Sequence, residues 1–462
     1  MQGSAVVVGG GLSGIAAALC LAATGWRVAL VEQAPQLAQG WRSRAAGGGF
    51  CDLGVRVPAE SGIAWADALI FHRLPRVAEG RLSWNRFPGL AREGHVFRGR
   101  ANLDTACLDA TLLDAAALAR ARKELVQRRN RPDPAERTAD FATRAEAIYG
   151  PTLLAEALEG ACRSLLGRTP AALAWNATEG RLPARIVVAG HAETDLLRTR
   201  GRLAERLAHP SARSLKPGPL ARSYLYPAHG GIGAWVAALE CQLAAHAVDV
   251  RTGTRIAALH LVEDEVHGVV LSGGEQLATE LVVWTIRPDA LPLPGLPAIP
   301  AATCPVGARL LLLDRPVPHD LHWAVSYDPE SPFMRVGFPE ALAGQPAPGM
   351  TPVLLETRTG RAAPASDAAL LDVLAGHRLV APGARIAGAV ALGEGYFAVE
   401  TTESAAARTA LNGAVRHLRG LALIGPAGGG HQLVPTLVRE AAMLAADLAA
   451  RASAALPAAM FA

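Results

Sequence analysis

Half of the 462 residues are hydrophobic and only 19% are charged, a balance that excludes a chain disordered along most of its length. Such a length suits roughly two to three domains. The 45 basic and 41 acidic residues leave a formal charge of +4. Without a long basic run, this weak field argues against a nucleic-acid-binding protein.

The amino-terminal stretch 5–26 carries no charge and is long enough to span a bilayer. Glycines interrupt it, however, and no basic residue precedes it as in a signal peptide. Six cysteines without paired spacing suit a reducing compartment. The sequence therefore predicts a cytoplasmic protein without a transmembrane segment, and it leaves peripheral membrane contact and oligomeric state open.

The same stretch predicts a dinucleotide-binding turn. A β-branched strand at 5–8 runs into Gly9-Gly10-Gly11-Leu12-Ser13-Gly14, and an alanine-rich helix follows over 15–24. Gly9 permits the tight turn, Gly11 lets a pyrophosphate approach the backbone, and Gly14 lets the helix pack closely on the sheet. The helix N-terminus favours negative charge. Glu32 ends the second strand about 20 residues on, where a ribose-binding acid is expected.

Later segments continue this pattern in a fixed order. They are Gly40–Arg42, Asp52–Arg56, the stretch 226–233 before an apolar helix at 234–246, a strand–turn–strand at 248–256, and 421–425 before a glycine-rich loop and a helix from about Pro435. This ordered set resembles the superfamily of FAD-dependent amine oxidases, protoporphyrinogen oxidases and phytoene desaturases, of which UDP-galactopyranose mutases are structural relatives. The resemblance favours FAD over NAD as the cofactor.

The resemblance implies further cofactor contacts. Arg42 would lie near the phosphates, Gly54 and Val55 would pass the flavin ring, and Ile256 would offer backbone groups to the adenine. Gly425 and the last helix would close over the ribityl chain and the flavin. The full predicted cofactor set is Gly9, Gly11, Leu12, Ser13, Gly14, Glu32, Gly40, Arg42, Gly54, Val55, Ile256, Gly425 and Val434.

Two positions depart from the superfamily pattern. Pro426 follows Gly425 where the superfamily usually has an acid, so the contact of that acid with a ribityl hydroxyl is lost or rerouted. Trp41 interrupts the usual doubled glycine before Arg42. Whether Pro426 weakens FAD binding stays open at this point.

The order of the motifs predicts an α/β protein whose Rossmann-type FAD-binding domain is discontinuous, over 1–60, 222–290 and 413–462. Residues 61–221 are expected to form a mainly helical insertion, with helices at 111–129, 134–149 and 152–167. Residues 291–412 are expected to form an interleaved, substrate-binding sheet region, with strands at 308–313 and 333–338.

Four residues are candidates for chemistry near the flavin. His229 and His431 lie in glycine-rich turns, where an imidazole would act as a base or orient a substrate. Arg335 lies on a predicted strand and could hold a carboxylate or phosphate through its fork. Arg56 stands where relatives often have a histidine, and there it would meet an anionic substrate.

Other catalytic patterns are missing from the sequence. His319 and His322 lie in a turn without further ligands, so no metal site is predicted. Lys123 and Lys216 are the only lysines, and neither fits a flavin-facing position. Because amine oxidases of the superfamily usually place a lysine near the flavin, this argues against an ordinary monoamine or polyamine oxidase.

The leading hypothesis is an FAD-dependent oxidoreductase that takes hydride from a C–H or C–N bond of a small or medium organic substrate onto flavin N5. Two alternatives stay open. One is a non-redox, flavin-dependent sugar-nucleotide mutase in which arginines clamp phosphates. The other is a flavin-binding protein without catalysis.

Overall fold

Strand β1 (Ser4–Val8) leads through the glycine turn into helix α1 (Leu12–Ala23), and strand β2 (Arg27–Val31) follows. The computed structural model describes residues 3–46, 49–77, 80–88, 92–134, 140–178, 182, 185–211, 223–344, 349–359, 366–429 and 433–454. Helix α1 begins at Leu12 rather than at the predicted residue 15, with Gly11 as its N-cap. A Cβ on Gly14 would lie 1.7 Å from the Gly9 carbonyl oxygen, so the first turn approaches the strand this closely only because Gly14 has no side chain.

The further strands and helices follow in chain order. The strands are β3 (Ser43–Ala46), β4 (Gly49–Asp52), β5 (Trp84–Pro88), β6 (Glu93–Phe97), β7 (Arg100–Asn102), β8 (Ser223–Pro227), β9 (Asp249–Arg251), β10 (Ile256–Val262), β11 (Glu265–Leu271), β12 (Gln276–Ala278), β13 (Leu281–Trp284), β14 (Thr303–Leu313), β15 (Trp323–Ser326), β16 (Arg335–Gly337), β17 (Thr351–Arg358), β18 (Ile386–Ala398) and β19 (Leu421–Leu423). The helices are α2 (Ala64–Asp67), α3 (Ala115–Gln127), α4 (Phe141–Tyr149), α5 (Pro151–Leu153), α6 (Glu159–Leu166), α7 (His191–Arg198), α8 (Leu203–Arg206), α9 (Ile232–Ala245), α10 (Pro339–Ala343), α11 (Asp367–Gly376), α12 (Thr402–Val415) and α13 (Val434–Ala454).

A parallel five-stranded sheet carries the glycine turn at the carboxyl end of its central strand. Its order is β19-β13-β1-β2-β9, and Val7 pairs with Leu30 on one side and Val283 on the other. Buried aliphatic side chains of α1, α9 and α13 pack together against one face of this sheet. The predicted α/β class is confirmed, and the order reverses at β1, where ligands bind in open parallel sheets.

A seven-stranded sheet forms the second layer, in the order β18-β14-β17-β16-β15-β6-β7. Only the β15–β6 pair is parallel among its described pairs. One face is closed by α11 through Leu370 and Leu374. The opposite face is covered at one end by the segment 51–57 and elsewhere by α3–α6. A strip of this second face remains between the two coverings.

Aspartate caps shift the predicted helix starts. Helix α3 begins at Ala115 rather than residue 111, because the Asp114 side chain accepts a 2.8 Å hydrogen bond from the Ala117 N–H. Asp140 caps α4 in the same way through Thr143. Strand β14 is longer than predicted and β16 shorter. The domain boundaries expected from the sequence stay a prediction.

The uncharged stretch 5–26 forms β1, the glycine turn and α1. Within the described ranges, no helix combines the length and the apolar character that crossing a membrane requires.

Candidate cofactor and substrate site

The turn between β1 and α1 is open toward solvent at Gly11. A Cβ on Gly11 would meet no atom within 4 Å, and α1 has neither a side-chain cap nor an acid in its first turn. The first N–H groups of a helix have no partner within the helix. This end of α1 therefore presents N–H donors and partial positive charge to a space that suits a pyrophosphate.

Glu32 lies directly beside this turn. Its Oε2 accepts a 2.5 Å hydrogen bond from the Gly10 N–H and its Oε1 a 2.7 Å bond from the Ala34 N–H. A carboxylate offers about four acceptor positions, so capacity remains for ribose hydroxyls. The Thr254 N–H donates to the Glu32 carbonyl oxygen at 3.2 Å, which brings Ile256, at the start of β10, to the same side of the turn.

Arg42 is engaged with protein groups. Its Nε donates to the Leu37 carbonyl oxygen at 3.0 Å, and its Nη2 forms an ion pair with Glu240 on α9. Arg42 therefore links the segment beside the glycine turn to α9. Direct phosphate contact by Arg42 stays a prediction.

The Arg56 side chain lies against both Gly40 and Gly54. Its Nε donates to the Gly40 carbonyl oxygen at 3.2 Å, its guanidinium lies over the Trp41 ring at 5.8 Å, and its Nη1 is 3.5 Å from where a Gly54 Cβ would stand. Within the described residues, its two Nη atoms have no hydrogen-bond partner. Burial lowers the pKa of the guanidinium, an effect that Glu356 opposes.

Asp52 fixes the segment that leads to Gly54. Its buried carboxylate accepts hydrogen bonds from Ser43 Oγ at 2.6 Å, Tyr226 Oη at 2.7 Å and the Ile232 N–H at 3.0 Å. The last contact places the carboxylate at the N-terminus of α9, where negative charge is favoured. Burial raises the pKa of Asp52, and these three bonds oppose that shift.

The start of α13 closes the other side of the turn. Gly425 has φ 59°, and a Cβ there would lie 2.5 Å from Ser13 Oγ. Its N–H donates to Glu440 Oε2 on α13 at 2.6 Å, so the acid beside Gly425 comes from α13 rather than from position 426. Val434 packs in one buried cluster with Leu12. The predicted residues of the turn and of the last helix are thus neighbours.

The uncovered strip of the seven-stranded sheet adjoins the segment 51–57, which carries Gly54 and Val55. Glu93, Trp323, Val325 and Arg335 are all half-buried on this strip. A Cβ on Gly337 would lie 2.5 Å from Val55 Cγ2, so the strip begins where the segment 51–57 ends. We expect a substrate to lie over these side chains, next to Gly54 and Val55.

Arg335 is held by Glu356, its neighbour across β16 and β17. Its Nε and Nη2 donate to the Glu356 carboxylate at 2.6–2.9 Å, and Glu356 is only 4% exposed. The fork that was expected to grip a substrate anion is therefore committed to Glu356. Within the described residues, its Nη1 has no hydrogen-bond partner.

Glu93 is the titratable carboxyl group of the strip. It pairs in register with Trp323, which pairs with Gly337 on the next strand. Neighbouring strands lie about 4.8 Å apart, which puts Glu93 roughly 10 Å from Gly337. Burial raises the pKa of Glu93 to about 7, while Arg335 favours the ionised form.

Of the two candidate histidines, the structure describes only His229. His229 is exposed in the bend before α9, and its side chain makes no hydrogen bond within the described residues. His431 lies outside the described residues, as does Lys216. Lys123 is exposed on α3. A catalytic role for either histidine stays a prediction.

Sequence reasoning missed Glu356, Glu93 and the Asp52–Tyr226 pair. The available signal for Glu356 was a charged residue directly after the apolar run Val353-Leu354-Leu355 of one strand. No local signal distinguishes Glu93 from a solvent-exposed strand residue. Its placement depends on strands that are far apart in the chain.

Comparison with known proteins by sequence gives a family match for the amino-terminal segment. Residues 7–67 match a family described as an NAD(P)-binding Rossmann-like domain. No curated protein matches the chain by sequence.

Solved structures match over almost the whole chain. Reduced UDP-galactopyranose mutase is 16% identical with a TM-score of 0.66, covering 98% of this chain and 96% of that one. A protein of Exiguobacterium sp. 255-15, provisionally named protoporphyrinogen oxidase, is 15% identical with a TM-score of 0.60, covering 97% and 99%. Putrescine oxidase bound to putrescine is 14% identical with a TM-score of 0.59, covering 98% and 100%. At these identities the likeness is one of fold.

Proposed function

We propose, from the premise that this chain has the fold of the FAD-dependent amine oxidase and protoporphyrinogen oxidase superfamily, that it is an FAD-dependent oxidoreductase. Its substrate would be a small or medium organic molecule that loses hydride from a C–H or C–N bond. The observation that carries the proposal is the open turn at Gly11, flanked by the uncapped end of α1 and by Glu32.

The residues present fit the cofactor along its length. Glu32 and the start of β10 would hold the adenosine, and the N–H groups at Leu12 and Ser13 the pyrophosphate. Gly54, Val55 and the start of α13 would border the flavin. When bound, FAD supplies a two-electron acceptor.

The chain's own part in the reaction is positioning. Asp52, Ser43 and Tyr226 fix the approach to Gly54, and the Val55 N–H is held by Glu356 at 2.6 Å. The strip with Trp323 and Arg335 would orient the substrate on the opposite side. Fixed positions for the segment 51–57 and for the strip would hold reacting atoms close together, which is a large part of enzymatic rate acceleration.

The test of this proposal measures the visible absorption spectrum of protein-bound flavin. Protein purified and mixed with FAD, then freed of excess cofactor, is expected to retain a visible flavin spectrum. Under anaerobic conditions, a panel of amines, alcohols and organic acids should contain compounds that bleach this spectrum. A protein that retains no flavin, or whose flavin no compound in the panel reduces, would argue against an oxidoreductase.

A mutase acting on a sugar nucleotide is the second candidate. The two Nη atoms of Arg56, which have no hydrogen-bond partner within the described residues, favour it, because an open guanidinium edge suits a phosphate. Isomerisation of a UDP-sugar that requires reduced flavin, with no net oxidation of the sugar, would support the mutase. Reduction of the flavin by a substrate, with one hydride transferred to each flavin, would support the oxidoreductase.

A further inference from the structure

Three tryptophans form a chain of edge-to-face ring contacts. The ring of Trp235, on α9, lies in the middle: its centroid is 5.9 Å from that of Trp41 and 6.1 Å from that of Trp84, at interplanar angles of 77° and 67°. Phe71 stacks on Trp235 at 5.3 Å and meets the edge of Trp84 at 6.0 Å. Such contacts stabilise aromatic clusters. They also make Trp41, Trp235 and Trp84 a continuous tryptophan chain.

The middle of the tryptophan chain lies beside the proposed cofactor site. Trp235 is fully buried, and it lines a narrow internal cavity together with Leu12 and Val434. Leu12 begins α1, whose first N–H groups would hold the pyrophosphate, and Val434 begins α13, which would border the flavin. Apolar side chains complete the lining of this cavity. The tryptophan chain therefore passes directly behind the elements that would hold FAD.

The two ends of the chain are half-buried and differ in their electrostatic surroundings. The Arg56 guanidinium lies over the Trp41 ring at 5.8 Å. Among the described residues, no cation lies over the ring of Trp235 or of Trp84. A cation interacts with the electron-rich face of a ring, so it opposes the loss of an electron from that ring. A missing electron is therefore more stable at Trp84 than at Trp41.

The indole N–H groups of the chain have partners that cannot accept a proton. Trp235 Nε1 donates to the Ile70 carbonyl oxygen at 2.9 Å, and Trp84 Nε1 donates to the Phe71 carbonyl oxygen at 2.8 Å. An oxidised indole becomes a neutral radical only by passing its N–H proton to a base, and a backbone carbonyl is a very weak base. An oxidised Trp84 therefore stays a radical cation until an electron returns to it.

We propose that the tryptophan chain carries single electrons from Trp84 to a strongly oxidising group at the cofactor site, for which light-excited flavin is the probe. One electron passes from Trp235 to the excited flavin, and one electron from Trp84 then fills the vacancy at Trp235. No bond forms or breaks and no proton moves, and the cycle ends when the electron returns to Trp84. The inference rests on the proposed function only in requiring bound FAD, since hydride transfer from a substrate does not use this path.

Transient absorption of the FAD-loaded protein tests the proposal. A short pulse of blue light excites the flavin, and the visible spectrum is followed as the excited state decays. We expect quenched flavin fluorescence and the absorption of a tryptophan radical cation, which should then disappear together with the absorption of the one-electron-reduced flavin. The absorption of a neutral tryptophan radical should stay absent.

Phenylalanine variants assign the path. Trp235→Phe removes the middle ring of the chain, so it should lose most of the radical yield and lengthen the fluorescence lifetime of the flavin. Trp84→Phe ends the path at Trp235, so the radical should still form but should recombine several-fold faster. Trp175→Phe is the matched control, because Trp175 is half-buried in the helical insertion and lies against Arg144. It should behave as the wild type.

Several outcomes would overturn the inference. They are a wild type that forms no tryptophan radical, an unchanged radical yield in Trp235→Phe, or an unchanged radical lifetime in Trp84→Phe. If Trp235→Phe fails to fold, the lifetime in Trp84→Phe decides alone. A protein that forms the radical but whose flavin no substrate reduces keeps this inference and loses the oxidoreductase. A flavin that substrates reduce but that forms no tryptophan radical in light loses only this inference.

Discussion

Glu356 Oε1 accepts a 2.6 Å hydrogen bond from the backbone N–H of Val55, a residue 301 positions away. The same carboxylate pairs with Arg335, so one buried side chain joins the segment that would face the flavin to the strand that would face the substrate. The segment 51–57 and strand β16 are thereby fixed relative to each other.

Breaking this junction should destabilise the fold. Glu356→Gln leaves Arg335 without its counter-charge, and we expect a loss of about 3 kcal/mol in the free energy of unfolding. Arg335→Gln leaves a carboxylate that the Val55 N–H still binds. Urea unfolding of both single variants and of the double variant should give a coupling energy of about 1–3 kcal/mol, and additivity within about 0.5 kcal/mol would contradict a direct interaction.

Asp52 offers a second test of how the cofactor-facing segment is held. Asp52→Asn removes the charge at the N-terminus of α9 and turns an amide N–H₂ toward groups that now donate to the carboxylate. We expect a loss of about 2–4 kcal/mol in the free energy of unfolding. Tyr226→Phe removes only one of the three donors and should lower the free energy of unfolding by about 1 kcal/mol. An equal loss of stability in both variants would contradict the conclusion that Asp52 organises all three contacts.

The raised pKa of Glu93 has a consequence for stability. An acid whose folded-state pKa is about 7 rather than 4.5 binds its proton more tightly in the folded state. Its contribution to stability is therefore present at low pH and is lost as the pH rises from about 4.5 through about 7. Glu93→Gln keeps a neutral side chain, so its thermal midpoint should exceed that of the wild type above about pH 7 and match it near about pH 4. A difference that does not change with pH would show that Glu93 is ionised normally.

Gly14 should tolerate no side chain. A Cβ there would lie 1.7 Å from the Gly9 carbonyl oxygen, so Gly14→Ala has to push α1 away from β1. We expect at least about 3 kcal/mol of destabilisation, as for overpacked core sites. Chemical unfolding measures this, and a variant as stable as the wild type would contradict the close approach of the helix.

The parts that the sequence could predict are local. The glycine turn, the helix after it and Glu32 lie within one short stretch, where spacing alone indicates their contacts. Arg335 was recognised as a candidate, but its partner could not be, because the pairing depends on the register of β16 with β17. Glu93 meets Arg335 only through the strand order β16-β15-β6. Burial and strand order, rather than residue type, give these side chains their chemistry.

The most direct measurement of the central claim is FAD binding by Gly11→Ala. Gly11 has φ −72° and ψ 178°, and an added methyl group meets no protein atom within 4 Å. The variant should therefore fold as the wild type does, while the methyl group occupies the space through which a pyrophosphate approaches the backbone. Gly413→Ala, on α12, adds a methyl group that likewise meets no atom within 4 Å and serves as the control.

We predict that wild type and Gly413→Ala bind FAD alike, and that Gly11→Ala keeps the wild-type thermal midpoint but loses at least about tenfold in FAD affinity. A Gly11→Ala variant that binds FAD as tightly as the wild type, or a wild-type protein that binds none, would contradict the account.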